Sequence, residues 1–267
     1  MHCKHPMMLT SQGFYVPCGH CRACRISRSR EWYTRLYHES LYHEKSTFAT
    51  LTYDEDHIPR DGNLDKGELQ RFFKRLRNMV KVKYYACGEY GDEAGRPHYH
   101  AIIYDLGIKD HVVHFEYGKG GKKVVIVDDG PVKFAWDKGR IQLGTVSLYS
   151  MRYVTDYIQK KLYGKAAAAQ EGRVQPFSLM SKGLGFRFAV DNYEKIFMKG
   201  GITINGKEVG IPRYYVKKLE LDELVRAQAE LEEGEREIIG SVVDRSRRLQ
   251  HEKKLQAKEL LFRKGDL

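Results

Sequence analysis

His98 and His100 are separated by one residue and stand directly before the apolar run Ala101 to Tyr104. That run reads as a buried β-strand, and side chains two apart on a strand point to the same face. Both imidazoles therefore project together from the start of one strand. Glu89 ends the preceding strand, in "KVKYYACGEYG", and only the turn "YGDEAGRP" separates it from the histidines. In a hairpin it lies across from His98 and His100, and two imidazoles with one carboxylate suit a divalent cation with open coordination positions. A lone His-x-His pair is weak evidence, and Glu89 by itself reads equally as a solvent-facing strand terminus.

A second group is sulfur. Cys3, Cys18, Cys21 and Cys24 cluster at the start of the chain, the last three in "VPCGHCRACR". Overlapping C-x-x-C pairs set thiolates at the turn spacing that tetrahedral zinc accepts, with Cys3 as fourth ligand and His5 or His20 as substitutes. A thioredoxin-like role fits poorly, because no βαβ pattern surrounds the motif. Cys87 stands alone on a strand and reads as packing. A third group is phenolic. In "LYSMRYVTDYIQKKLYG", Tyr149, Met151, Val154, Ile158 and Leu162 mark the apolar positions of a helix with Ser147 as N-cap. Tyr153 and Tyr157, four apart, share a face, with Lys160 and Lys161 within another turn. A tyrosine stripe at helical spacing is usually core, but the ammonium groups beside this one want water or phosphate.

The elements that must position these groups follow from pattern. "STFATLTYDEDHIP" alternates as a strand and ends in a turn at Pro59 to Asn63. "DKGELQRFFKRLRNMV" puts Leu69, Phe72, Phe73, Leu76 and Val80 on one helical face and Lys74, Arg75 and Arg77 on the other. Strand, helix, strand, strand in that order predicts an α+β fold with an antiparallel sheet. A basic helix from Arg25 to about Glu44 precedes them, suited to tracking phosphates or to a solvated surface. Residues 118–146 read as a hairpin-like insertion with strands at Val124 to Val127 and near Ile141. The division expected is a Cys-rich knuckle and basic helix over 1–46, a core over 47–165, a linker and small hairpin with an Asn205-Gly206 turn over 166–218, and a charged helical tail over 219–267.

With 267 residues the chain can bury a sizeable core, and its net charge of +11 favours a polyanion such as nucleic acid. No apolar run approaches the ~20 residues of a membrane helix, and the N-terminus lacks the apolar run of a secretory signal. The expectation is a soluble protein in a reducing cytoplasm, with no membrane partner.

The ordered set of motifs resembles the HUH endonuclease superfamily, and more closely the replication initiators of small single-stranded-DNA microviruses of the gokushovirus branch. "FATLTYDEDHIP" resembles the family's first motif, "GEYGDEAGRPHYHAIIY" its metal motif and "YVTDYIQKK" its tyrosine motif; "VPCGHCRACRISRSREW" and "PFSLMSKGLGF" look like regions typical of the branch. The resemblance implies a five-stranded antiparallel, RRM-like HUH core with the histidines on its central strand and the tyrosines on a neighbouring helix. It implies Glu89, His98 and His100 as ligands of Mg²⁺ or Mn²⁺, Tyr153 and Tyr157 as nucleophiles, and Lys160 and Lys161 as their basic neighbours. Asp156 departs from the pattern, since related initiators often carry lysine between the tyrosines. The implied activity is rolling-circle initiation in the host cytoplasm: nicking single-stranded or replicative-form viral DNA at the origin through a 5′-phosphotyrosine, then rejoining the displaced strand, with host helicase and DNA polymerase as partners. Competing readings are a relaxase or transposase of the same chemistry, a non-catalytic zinc-bearing DNA-binding protein, and a hydrolytic histidine phosphoesterase.

Overall fold

Met7–Leu9 (β1) and Phe14–Val16 (β2) pair as a short antiparallel hairpin, which returns the chain so that Cys3 comes to lie beside Cys18. The computed structural model describes residues 3–10, 14–91, 95–117, 123–161 and 172–221, and the side chains of 157–161 lie outside that description. Two units divide the chain, Met1–Phe188 and Ala189–Leu267.

Helix α1, Arg22–Ser40, ends four residues before the expected Glu44. The physical reason is local. Glu39 is buried and draws in His43 at 2.9 Å, Lys83 at 2.6 Å and the Gly185 backbone N–H at 2.6 Å, so the chain turns there through an i→i+3 bond from Tyr42 N–H to the Glu39 carbonyl. Strand β3, Ser46–Tyr53, follows with the strict alternation the sequence shows. Helix α2, Lys66–Met79, starts at Asp65, whose carboxylate accepts the Glu68 backbone N–H at 3.0 Å.

Strands β4, Lys83–Tyr90, and β5, Pro97–Tyr104, then β6, Val113–Tyr117, β7, Lys123–Val127, and β8, Gly139–Thr145, build one antiparallel sheet; the short helix α3, Pro131–Ala135, joins β7 to β8. Helix α4, Leu148–Lys161, leads on, and β9, Phe177–Met180, completes the sheet in the order β6-β7-β8-β3-β5-β4-β9. The sheet thus has seven strands among the described residues, where the resemblance implies five. The insertion hairpin adds β6 and β7 to one side by pairing Val125 with Leu143, and the short "FSLM" segment pairs with β4 on the other. Strand β5 lies inside the sheet, next to β3.

Both faces of the sheet are covered, so β4 and β5 are buried almost throughout. On one face Leu69, Phe72, Phe73 and Leu76 of α2 pack with Ala49, Leu51, Tyr99, Ala101 and Trp136. On the other, Leu36 of α1 and Met151 and Val154 of α4 pack with Tyr85, Cys87, Ile102 and Tyr104. Gly139 permits β8 its close approach to β3: it sits at φ +144°, and a Cβ there would meet the Thr52 carbonyl at 2.3 Å.

In the second unit, Ile202–Ile204 and Lys207–Val209 form a hairpin across Asn205-Gly206, both at positive φ as a two-residue primed turn requires. The charged tail expected beyond Leu221, and residues 162–171 of the linker, lie outside the described residues.

Candidate active site

Register decides which side chains meet. Antiparallel pairing sets Glu89 opposite His98, Thr52 opposite His98 and Thr50 opposite His100, so the carboxylate, both imidazoles and both threonines share one sheet face. Helix α4 crosses that face. Ser147 caps it, its Oγ accepting the Ser150 backbone N–H at 3.2 Å, and Tyr153 then points at the histidines.

The three expected ligands converge. Glu89 Oε1 lies 3.0 Å from His98 Nε2 and 3.0 Å from His100 Nε2, and the Tyr153 hydroxyl donates to the same oxygen at 3.2 Å. That hydroxyl is also 3.4 Å from His100 Nε2. Phe48 stacks on the His100 ring at 5.5 Å, and Tyr153 meets it edge-on at 5.1 Å. The Glu89 side chain is 1% exposed. Burial acts to raise its pKa, yet the hydrogen bonds from His100 and His98 hold it below the usual carboxylate range.

The outer nitrogens fix the inner ones. His98 Nδ1 lies 3.0 Å from the Arg96 carbonyl, which can only accept, so Nδ1 carries the proton and Nε2 keeps its lone pair. His100 Nδ1 lies 3.0 Å from Thr50 Oγ1 and can donate there in the same sense. Two imidazole lone pairs then face a carboxylate, an arrangement that needs protons or a cation between them. Glu89 Oε2 adds to this: it is buried and has no hydrogen-bond partner, a state that costs free energy in a protein interior. The donor set fits a divalent cation of the Mg²⁺ or Mn²⁺ kind.

Cys3, Cys18, Cys21 and Cys24 converge as well, all as free thiols with their sulfurs within 4.8 Å of one another. Burial opposes ionisation of Cys21, but backbone donors at Cys24 and Lys4 and the neighbouring thiols bring it down to about 6. Cys87 is fully buried opposite His100 in the register, and that burial pushes its thiol well up. Tyr157, Lys160 and Lys161 follow Tyr153 in α4, and their side chains lie outside the described residues. Asp156, the departure from the family pattern, accepts a hydrogen bond from Ser29 of α1.

Sequence reasoning missed Thr50, Phe48, Arg96 and Ser29. Phe48 and Thr50 were readable as one face of a strand, but only the pairing of β3 with β5 shows that this face meets His100. The Arg96 contribution is a carbonyl, which residue type does not signal.

The family described as replication-associated protein ORF2 matches residues 46–162. The replication-associated protein VP4 of Bdellovibrio phage phiMH2K is 32% identical over 216 residues, covering 76% of this chain and 66% of that protein. The replication-associated protein ORF2 of Spiroplasma virus 4 is 30% identical over 221 residues, covering 77% and 68%. The chain belongs to the replication-associated protein family of these phages. A third relative, the replication-associated protein ORF4 of Chlamydia phage 1, is 31% identical over 218 residues, which cover 76% of this chain and 53% of that protein. The chain thus spans between about half and two thirds of these relatives' lengths. No solved structure matches it significantly. In this member of the replication-associated family, the matched stretch runs from β3 through α4; it contains Glu89, His98, His100 and Tyr153 and leaves the cysteines outside.

Proposed function

We propose that the protein initiates rolling-circle replication of a small phage genome by nicking one strand at the origin through tyrosine transesterification. The observation that carries this is the Tyr153 hydroxyl, 3.2 Å from the carboxylate that both histidines face. A phenol at a cation site is a nucleophile placed against the phosphate such a site would bind.

A Mg²⁺ or Mn²⁺ ion held by Glu89, His98 and His100 supplies polarisation of the scissile phosphate when bound. Tyr153 has an intrinsic pKa of about 10, so its proton must be held or removed as the oxygen attacks. Glu89 Oε1 already accepts that proton in a hydrogen bond. Lys160 and Lys161, within two turns of Tyr153 on α4, favour the phenolate by their charge. Tyr153 Oη forms a bond to phosphorus as the P–O3′ bond breaks, and the phenolic proton ends on the departing O3′. The products are a 5′-phosphotyrosine and a free 3′-hydroxyl that primes synthesis. The reverse attack by a 3′-hydroxyl rejoins DNA and frees the phenol, conserving every phosphodiester. Tyr157 serves as the second nucleophile, so that nicking of the regenerated origin and circularisation of the displaced strand alternate between the two phenols.

Single-stranded and replicative-form viral DNA are the substrates in this proposal, host helicase and polymerase the partners, and the host cytoplasm the place. No helix among the described residues is long and apolar enough to cross a membrane. A structural zinc ion, separate from the nicking chemistry, belongs with the four N-terminal thiols. A DNA-binding protein without catalysis would account for charge and cysteines but leaves the Tyr153–Glu89 contact without a purpose. The test is an origin oligonucleotide radiolabelled at the scissile phosphate. Transesterification moves the label onto the protein; a hydrolase leaves all of it on DNA, and that result would refute the proposal.

A further inference from the structure

Helix α1 begins against its own electrostatics. Its N-cap, Cys21, makes no side-chain capping hydrogen bond, and its first turn holds no acidic residue. Instead Arg22, Arg25 and Arg28 fall within the first two turns. A helix N-terminus carries about half a positive charge from its unpaired N–H groups, so cations there are unfavourable and anions favourable. Nineteen residues nevertheless form the helix. Something anionic at its start is called for, and no carboxylate of the first turn supplies it.

The thiol cluster stands at that place, with Cys21 as N-cap and Cys24 inside the first turn. Its sulfurs are separated by 3.4 Å (Cys3 to Cys18), 3.8 Å (Cys3 to Cys21), 3.5 Å (Cys21 to Cys24) and 4.0 Å (Cys18 to Cys24). A tetrahedron with zinc–sulfur bonds of about 2.3 Å has edges of about 3.8 Å, whereas a disulfide needs about 2.0 Å. Backbone donors support the sulfurs: Cys18 N–H donates to Cys3 Sγ and Cys21 N–H to Cys18 Sγ, each at 3.3 Å. Gly19, at φ +76°, makes the tight turn that allows this. Four thiolates around one divalent zinc carry a net charge of about −2.

We infer that the zinc tetrathiolate formed by Cys3, Cys18, Cys21 and Cys24 is the electrostatic N-terminal cap of α1, offsetting both the helix dipole and the arginines of its first turns. The inference rests on the zinc reading given above and extends it from a local staple to the seating of a 19-residue helix. The consequence reaches the tyrosine helix. Ser29, in the third turn of α1, is buried against α4, where its Oγ lies 3.5 Å from Thr155 Oγ1 and donates to Asp156.

The experiment uses the full chain and no DNA, so it is independent of nicking. Zinc content is measured by elemental analysis, and amide hydrogen exchange of residues 22–30 is followed before and after zinc is stripped with a chelator. The same exchange measurement is made on Arg22→Glu, which places a carboxylate in the first turn. The expected result is about one zinc per chain, exchange over 22–30 at least about tenfold faster without zinc, and recovery of most of that protection in zinc-free Arg22→Glu. Bound zinc whose removal leaves exchange unchanged overturns the capping role and leaves the zinc reading standing. Faster exchange that Arg22→Glu does not slow makes the cluster a cross-link only and overturns it too. A chain that binds no zinc overturns both.

Discussion

Thr50 Oγ1 lies 3.0 Å from His100 Nδ1, on the side of the ring away from Glu89. The hydroxyl accepts the Nδ1 proton and so keeps the Nε2 lone pair aimed into the site, the same service the Arg96 carbonyl gives His98. Thr50→Val keeps the shape and removes the acceptor. Mn²⁺ affinity, read by electron paramagnetic resonance on the free protein, should fall about 10- to 100-fold, and Thr50→Ser should recover most of it. Equal affinity in the Val and Ser variants would show that the hydroxyl does not orient the ligand.

Ser29 and Asp156 join α1 to α4 at a position where related initiators often carry lysine. Their hydrogen bond involves an ionised acceptor, so Ser29→Ala and Asp156→Ala should couple by about 1 kcal/mol in a double-mutant cycle of unfolding free energies. Strict additivity of the two substitutions would mean that the helices are held by apolar packing alone.

His38 is completely buried in α1, stacked on Phe188 at 3.6 Å, and burial pushes its pKa down to about 4. The unfolded chain binds this proton near pH 6.5 and the folded chain only near 4, so the unfolded state carries more protons between those values. Stability is therefore intact above pH 6.5 and declines as pH falls toward 4, by up to about 3 kcal/mol. His38→Phe keeps the stack and removes the proton site. Chemical denaturation at several pH values should show a flatter profile for that variant across this window; an unchanged slope would place the acid sensitivity elsewhere.

Local pattern carried the ligands further than it carried the sheet. His98, His100 and Glu89 are separated by one turn, so strand alternation was enough to bring them together, and the cysteines meet through one hairpin. The five-strand expectation failed because β9 is four residues long and unmarked by turn residues, and because the edge pairing of β7 with β8 is set by register rather than composition. Thr50 escaped for a related reason: its partner His100 is far along the chain, and only the β3–β5 register makes them neighbours. The early end of α1 depends on Lys83 and Gly185, which reach Glu39 from other elements.

The central claim is that Tyr153 and Tyr157 are the nucleophiles of a cation-dependent nicking reaction. It is tested most directly with a labelled single-stranded origin oligonucleotide and Mg²⁺ or Mn²⁺, run on a denaturing gel with wild type, Tyr153→Phe, Tyr157→Phe and the double variant. The account predicts a covalent protein–DNA band that requires the cation, persists at reduced yield in each single variant and vanishes in the double variant. A covalent band that survives loss of both phenols, or DNA binding with no covalent band on an oligonucleotide containing the nick site, would contradict it.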